Sequence, residues 1–599
     1  MTSPWFLSLT LGQVLYAMVY LAGLVNGLYI GAGNDSLAIG STQQSRIIRM
    51  GRPNTTVAFA DGPTASVPSA IKCSPCADER LVIVNESSTF AGILRKRFPN
   101  LASSLRPINI VNATPYRWRK GFQHTYQTLH WEWPDYIEPG QTACVIPDPK
   151  HTELFVVFWY IKWKDSAAEV AYHLEGTTKP MSFMIQYKSG KKHPVWVQFL
   201  EDLSTRYNRK GYQFNLQAHP EMGGTGFVIA GKEGDFISND GPLAWMQREI
   251  KTIGHLTLRE LVMPRSHSSG MHKRVRGWKV IKLRIRPPQV RGIYEQMADG
   301  GVRVLDVRPV CRQGNSFHAG HGHPIEGAAA MAVHEGSRTI KPWRGMYGDT
   351  LQKMVDDINR FNEKHPGELV ILDVHPIYAL TTDEWSWYLP MISHHRDMLY
   401  NLVLKQLNHR LSVPEDEDLT NWPLERFIGN KTSAVLVRFH EIFMSKDAFW
   451  PGSKEGFITN KQFPVSHRTS DSPAVHKVVA DQLEYLHRMK PNREAPLFSS
   501  DWFLKPPGPY ESIVVRGTDL WRALYDEMWN NVNDEVFPNW ISMNNIHGNE
   551  GKAIMMAMNH CLGARRCGSL GGKVKGVVKV EGTVNGTDPK SNNGTGSQV

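Results

Sequence analysis

The segment MPRSHSSGM, residues 263–271, sets His267 in a polar turn directly behind the apolar run LRELVM. Farther along, GGVRVLDVRPVCRQGNSFHAGHGHP ends an apolar run in Asp306 and Arg308, then carries His318 and His321 in a glycine-rich turn. Cleaving a phosphodiester by an internal hydroxyl needs a base for the hydroxyl proton and an acid for the leaving oxygen. It also needs positive charge on the phosphoryl oxygens. Two imidazoles supply acid and base near neutral pH, and a guanidinium is a fixed bidentate cation. His267, Arg308 and a histidine of FHAGH are of the right types. Taken singly, each has a plainer reading: His267 a solvated loop residue, Arg308 a bridge between carboxylates at strand ends, Asp306 a turn cap.

The surrounding pattern supplies elements that can bring such residues together. TLQKMVDDINRFNEKHPG places Leu351, Met354, Ile358 and Phe361 on one helical face and stops at Pro366-Gly367. AVHKVVADQLEYLHRM and DLWRALYDEMWNNV read as further amphipathic helices. Between helices lie the apolar runs VRVLDVRP, ELVILDVHP, SAVLVRFHE and NWISMNNIHG, each ending in polar residues. Buried runs alternating with helices predict parallel strands, and about 320 residues suffice to close them into a βα barrel. Chemistry gathers at the strand ends of such barrels. Asp306, Arg308, Asp373, His375, Arg438 and Asn544 are therefore expected as neighbours, with His267 after the first strand.

The order of the three motifs, MPRSHSSGM, GGVRVLDVRP…FHAGH and DDINRF…ELVILDVHP, resembles the X-domain of phosphatidylinositol-specific phospholipase C and, more narrowly, fungal secreted PLC-like phosphodiesterases. The resemblance spans about residues 250–570. It implies an α/β fold, a PLC-like TIM barrel, with His267 as general base, Arg308 as phosphate clamp and His318 as general acid. His321 competes for the acid role, because Ala319 stands where the family has glycine. Asp306 matches the strand-end carboxylate. Ser268, His321, Asp373 and His375 are expected to line the substrate. Calcium-dependent relatives offer oxygen ligands at the positions of Ser268, Asp306 and Arg308 and on the third strand. An arginine among them repels the ion, so no metal and no cofactor are expected. The implied substrate is a phosphatidylinositol-type phospholipid or another phosphodiester at a peripheral membrane surface. Arg265 replaces a family glycine, and Ser268 an aspartate of the metal-independent members. Both departures favour an alternative, a barrel that binds lipid or glycan without turnover.

Residues 81–230 read differently. LVIV, TACVI, ELFVVFWYIKW, EVAYHLEG, SFMIQYKSG and TGFVIAG are rich in β-branched and aromatic residues and predict an antiparallel β-sandwich. The expected organisation is a signal peptide or hydrophobic anchor over 1–33, a β-sandwich over 34–245, the barrel over 246–570 and a low-complexity tail over 571–599. The apolar leader, seven Asn-x-Ser/Thr sequons (Asn34, Asn54, Asn85, Asn112, Asn430, Asn585, Asn593) and six cysteines fit a secreted, disulfide-containing glycoprotein. The net charge of +11 is modest for 599 residues, and no long Lys/Arg block points to nucleic acid. The basic stretch 272–291, with Trp278, could meet anionic lipid.

Overall fold

The computed structural model describes residues 107–564, except 130, 150–164, 218–224, 274–275, 278–286, 313–315, 325–332, 336–337, 341–342, 376–377, 381–386, 391–392, 441–451 and 506–519. The leader, the tail, the strand expected at ELFVVFWYIKW, Trp278 with most of its basic stretch, five of the sequons and Cys73, Cys76 and Cys567 lie outside the described residues. Everything described belongs to one compact unit.

Eight parallel strands carry the site: β1 (Met263–Ser266), β2 (Val304–Val307), β3 (Leu369–Val374), β4 (Ala434–Phe439), β5 (Phe457–Thr459), β6 (Val465–Arg468), β7 (Leu497–Trp502) and β8 (Trp540–Met543). Their order is β5-β4-β3-β2-β1-β8-β7-β6, every neighbouring pair parallel. The sheet curls strongly enough for Arg265 on β1 to bond Ser542 on β8 and Asp373 on β3. No ladder joins β5 to β6 among the described residues. Arg438 bridges the link between them instead, donating from Nε to the Phe463 carbonyl at 2.9 Å and from Nη2 to Asn460.

The helix Leu351–Lys364 forms as its spacing predicts. Leu351, Met354, Ile358 and Phe361 are buried, and Thr350 caps its first turn by accepting from the Lys353 N–H. Helices also form over Val475–Met489 and Glu550–Ala564. At the opposite end of the sheet from the polar strand ends, Arg303 and Glu368 form a fully buried ion pair at 2.7 Å. Glu368 also accepts from the backbone N–H groups of Met246 and Gln247, and Arg303 donates to the carbonyls of Met297, Val302 and Leu243. Every polar atom of the pair that these bonds reach is satisfied, which offsets the desolvation of two charges.

The first strand, β1, runs through residues 263–266, and His267 follows it in a turn as expected; FHAGHGHP, expected as a turn, forms the strand Phe317–Pro324. The latter joins a second sheet, ordered 276–277, 343–350, 317–324, 309–311, 378–380, 387–390. Trp343–Thr350 also pairs with Trp387–Pro390, so five of these strands make a closed ring. The ring grows from the C-terminal ends of β2 and β3, where strands 309–311 and 378–380 begin. It roofs the strand ends.

The N-terminal region contains a six-stranded antiparallel sheet and a four-stranded sheet. The smaller one departs from the antiparallel expectation, because Ile108–Ala113 runs parallel to Thr225–Lys232. Its side chains alternate between two cores. Ile108, Ile110, Phe227 and Ile229 pack with the six-stranded sheet, while Val111, Ala113, Val228 and Ala230 join the core of the α/β region, where helix Glu550–Ala564 meets Thr225–Lys232. Asn112 is fully buried there and donates from Nδ2 to the carbonyls of Tyr116 (2.7 Å) and Ile137 (2.9 Å). That amide has no room for a glycan, so the sequon at Asn112 is not an acceptor in the folded chain. Asn430 is exposed. Cys311 is a buried free thiol, and Cys144 and Cys561 are buried. Among the described residues, no helix is long and apolar enough to cross a membrane.

Candidate active site

In parallel strands every second side chain points inward, so β1, β2, β3, β4 and β8 deliver pairs of inward residues at their C-terminal ends. Arg265 and His267 follow this rule, as do Asp306 and Arg308, Asp373 and His375, Arg438 and His440, and Ser542 and Asn544. Their contacts bear this out.

His267 is buried. Its Nδ1 lies 2.8 Å from Oδ1 of Asn544, an acceptor, so Nδ1 carries the proton and Nε2 keeps its lone pair. Phe503, beyond β7, stacks on the ring at 3.9 Å and 8°. Gln289 fixes the backbone, donating to the carbonyls of His267 (2.7 Å) and Met543 (2.9 Å). Burial, then the nearby Arg308 charge, hold the His267 pKa well below the ordinary 6.5, against the opposing pull of Asp306. The ring is neutral at physiological pH.

Arg308 is gripped by Asp306: Nε lies 3.0 and 3.2 Å from the two carboxylate oxygens and Nη2 2.9 Å from one of them. Among the described residues this leaves Nη1 for a ligand, and the side chain is 22% exposed while Asp306 is sealed. Asp306 also accepts the Ser268 N–H at 3.0 Å. Burial alone would push its carboxyl up, but Arg308, His375 and Arg265 together hold it well below 3.8. Ser268 takes a left-handed φ of 47°, an uncommon conformation for serine that turns the chain directly after His267. Its Oγ sits 3.0 Å from Nδ1 of His321.

The two histidines of the glycine-rich segment part company. The ring of His321 stands 5.5 Å from that of His267, edge to face. His318 instead sets Nδ1 3.0 Å from the Gly348 carbonyl and packs on Tyr347 at 5.1 Å. The charges acting on it are Arg312 and Asp349, and neither His267 nor Arg308 is among its partners. The expectation of His318 facing His267 is corrected in favour of its competitor. The cause is that Phe317–Pro324 is a strand, on which residues three apart face opposite sides, so only one of the two can turn to His267.

Asp373 and His375 lie beside the same cluster. Arg265, 2% exposed, spans it, donating to Asp373 at 2.9 Å, to Ser542 at 2.8 Å and to Nε2 of His375 at 3.2 Å. Arg438 donates to Asp373 and lies 3.3 Å from Nε2 of His440. The rings of His375 and His440 face each other at 4.3 Å. Burial lowers the His375 pKa to about 4, against Asp306 and Asp373. Asp373, His375 and His440 offer ligand atoms within 4.8 Å of one another, a spacing that could hold a metal. The guanidinium N–H groups of Arg265 and Arg438 lie between those atoms, however, each touching one carboxylate oxygen and one imidazole nitrogen. The donor set is already engaged by protein cations and fits a metal poorly.

Across the mouth, His467 on β6 lies 2.6 Å from the buried Asp501 on β7, which also accepts from Thr469. Sequence reasoning did not single out His467, Asp501, His440, Phe503 or Gln289. The signal for the first four was present, since each falls at the polar end of a short apolar run; Gln289 carried none.

No family model matches the chain, and no curated protein matches it. Among solved structures it is similar to the phosphatidylinositol-specific phospholipase C of Staphylococcus aureus, with 15% identity, 53% of this chain and 98% of that chain covered, and a TM-score of 0.36. A mutant of the same enzyme matches at 14% identity, 54% and 97% coverage, and a TM-score of 0.35. The corresponding enzyme of Listeria monocytogenes matches at 12% identity, 53% and 98% coverage, and a TM-score of 0.34. Likeness this distant decides no chemistry.

Proposed function

We propose that the chain is a phosphodiesterase that cleaves a phosphatidylinositol-type lipid by internal attack, without a metal. One observation carries the reading: a neutral, oriented imidazole faces a second imidazole at 5.5 Å, with a carboxylate-held guanidinium acting on the first. In the proposed step His267 Nε2 takes the proton of a head-group hydroxyl, and that oxygen forms a bond to phosphorus. The bond from phosphorus to the lipid oxygen breaks, and His321 gives that oxygen a proton. The products are a cyclic phosphate and a neutral lipid alcohol. Arg308 neutralises the charge that gathers on the phosphoryl oxygens. Ser268 positions His321, and Asp306 positions Arg308. His318 is assigned no part in the step. Export through the N-terminal segment, with disulfides and glycans outside the cell, completes the proposal.

A second reading, binding without turnover, is favoured by the grip of Asp306 on Arg308, which leaves the clamp one terminal nitrogen. Release of inositol phosphates from phosphatidylinositol micelles separates the two. The expected result is turnover unaffected by EDTA, lost on the order of 10²–10⁴-fold in His267→Ala and His321→Ala, and retained in His318→Ala. Absence of turnover in the parent protein would leave the binding reading standing.

A further inference from the structure

The turns after β1 and β8 meet at His267 and Asn544, and neither is relaxed. His267 is followed by Ser268 at a φ of 47°, and Asn544 by Asn545 at 57°. In this left-handed region a side chain crowds its own backbone, so each turn persists only with support from outside. The turns touch through the His267 N–H, which donates to the Met543 carbonyl at 3.0 Å, and through Nδ1 and Asn544 Oδ1 at 2.8 Å.

Pro288 and Gln289 lie across both. On the β1 side the Gln289 N–H donates to the Met271 carbonyl at 3.0 Å; on the β8 side the Pro288 carbonyl accepts the Asn545 N–H at 2.9 Å. The Gln289 side chain, 1% exposed, closes the bridge. Its Nε2 donates to the carbonyls of His267 (2.7 Å) and Met543 (2.9 Å), and its Oε1 accepts the Ile546 N–H at 3.2 Å. Both donors of the amide are used and its oxygen is engaged. One side chain thus bonds the residue that bears the base and the backbone on either side of Asn544. The placement has a chemical consequence, because the partner at Nδ1 decides which ring nitrogen carries the proton. Only while Asn544 Oδ1 faces Nδ1 is Nε2 kept bare and able to accept.

We propose that Gln289 is a positioning residue: by clamping the turns after β1 and β8 it holds Asn544 against His267 Nδ1 and so keeps Nε2 the basic nitrogen. The effect on turnover rests on the phosphodiesterase reading above; the effect on the tautomer stands without it. A glutamine that merely satisfied buried carbonyls would support the fold and leave the ring alone. Gln296 is the control for that case. It too is fully buried, and its Nε2 donates to two carbonyls, those of Ser269 at 2.9 Å and Arg291 at 2.7 Å, instead of those beside Asn544.

Nitrogen NMR of the full chain with isotope-labelled histidine, His267 being assigned by its loss in His267→Ala, reads the tautomer without substrate. Gln289→Met keeps the length and removes the donors and the acceptor. It should move the His267 proton from Nδ1 towards Nε2 and lower kcat for phosphatidylinositol at least tenfold, with KM within twofold. Gln296→Met should leave ring and kcat near the parent's at a similar loss of stability. Gln289→Glu covers the case in which the Met variant does not fold. Its protonated carboxyl still offers a donor and an acceptor, whereas its carboxylate repels the carbonyls it faces. Burial raises that carboxyl's pKa, so tautomer and kcat, each relative to the parent at the same pH, should recover as the pH falls. A parent without the Nδ1 proton, a tautomer unmoved in Gln289→Met or moved equally in Gln296→Met, or a Gln289→Glu defect that low pH does not mend overturns the proposal. A shifted tautomer with kcat unmoved overturns its catalytic half. A shifted tautomer in a protein that never cleaves phosphatidylinositol sinks the phosphodiesterase reading and spares the clamp.

Discussion

The buried His267 is neutral because burial and Arg308 disfavour its charged form, and this fixes the direction of the pH response. A base with a pKa below 6.5 stays deprotonated as the pH falls past 6.5, so the acid limb of kcat/KM should lie below that value. The same depression means that folding stability supplied by the neutral ring is present above pH 6.5 and is lost as the pH falls. Asn544→Asp tests the cause. It would put a carboxylate in place of an amide 2.8 Å from Nδ1, which favours the imidazolium and moves the acid limb up. A pH profile of kcat/KM for parent and variant decides it; an unmoved limb would mean that another group sets the profile. His375, lowered to about 4, should likewise remain uncharged near neutral pH.

At the scale of elements, the polar and the sealed ends of the parallel sheet should respond to mutation in opposite ways. Breaking the Arg303–Glu368 pair with Glu368→Ala leaves a buried guanidinium uncompensated and should cost about 3–5 kcal/mol in denaturant unfolding, with kcat/KM little changed. Gly270→Ala belongs to the other end. A Cβ there would stand 2.4 Å from the Ala319 side chain and 2.6 Å from Met354 Sδ, so the turn after His267 and the strand carrying His321 would be forced apart. The expected loss is about 1–3 kcal/mol in stability, accompanied by a loss of turnover that Glu368→Ala does not show. The same contrast explains what could be read from sequence. The helix Leu351–Lys364 was legible because its apolar residues keep a period, and strands β2, β3, β4 and β8 because each is an unbroken apolar run buried on both faces. Strand β1 was not, since Met263–Ser266 holds a proline, an arginine and a serine. Pro264 occupies a central strand, where its missing N–H normally bars it, and Arg265 is tolerated inside because Asp373 and Ser542 bond it. Polar partners contributed by distant strands have no local signature. The exchange of His318 for His321 comes from FHAGHGHP being a strand rather than a turn, since residues three apart on a strand face opposite sides.

At the scale of the whole molecule, the four-stranded N-terminal sheet is a shared wall rather than an appended layer. Strand Thr225–Lys232 is buried on both faces, against the six-stranded sheet on one side and helix Glu550–Ala564 on the other. Polar ties cross the same seam: Thr142 donates to Asp526 at 2.7 Å, and the Trp529 indole N–H to the Gly140 carbonyl at 3.1 Å. Gly226 lies where the Tyr525 ring closes on the strand, and a Cβ would fall 1.9 Å from Tyr525 Cζ. Neither side can be removed without exposing apolar surface of the other, so both should melt together. Calorimetry of the full chain should show one cooperative transition for the described region. Gly226→Val should lower it as a whole, because the ring cannot stay where it is and Tyr525 would lose its bond to the Glu550 carbonyl at the start of that helix. Two well-separated transitions, with only the earlier one moved by Gly226→Val, would show that the strand answers to one core alone and that the N-terminal region can evolve, bind and unfold apart from the site.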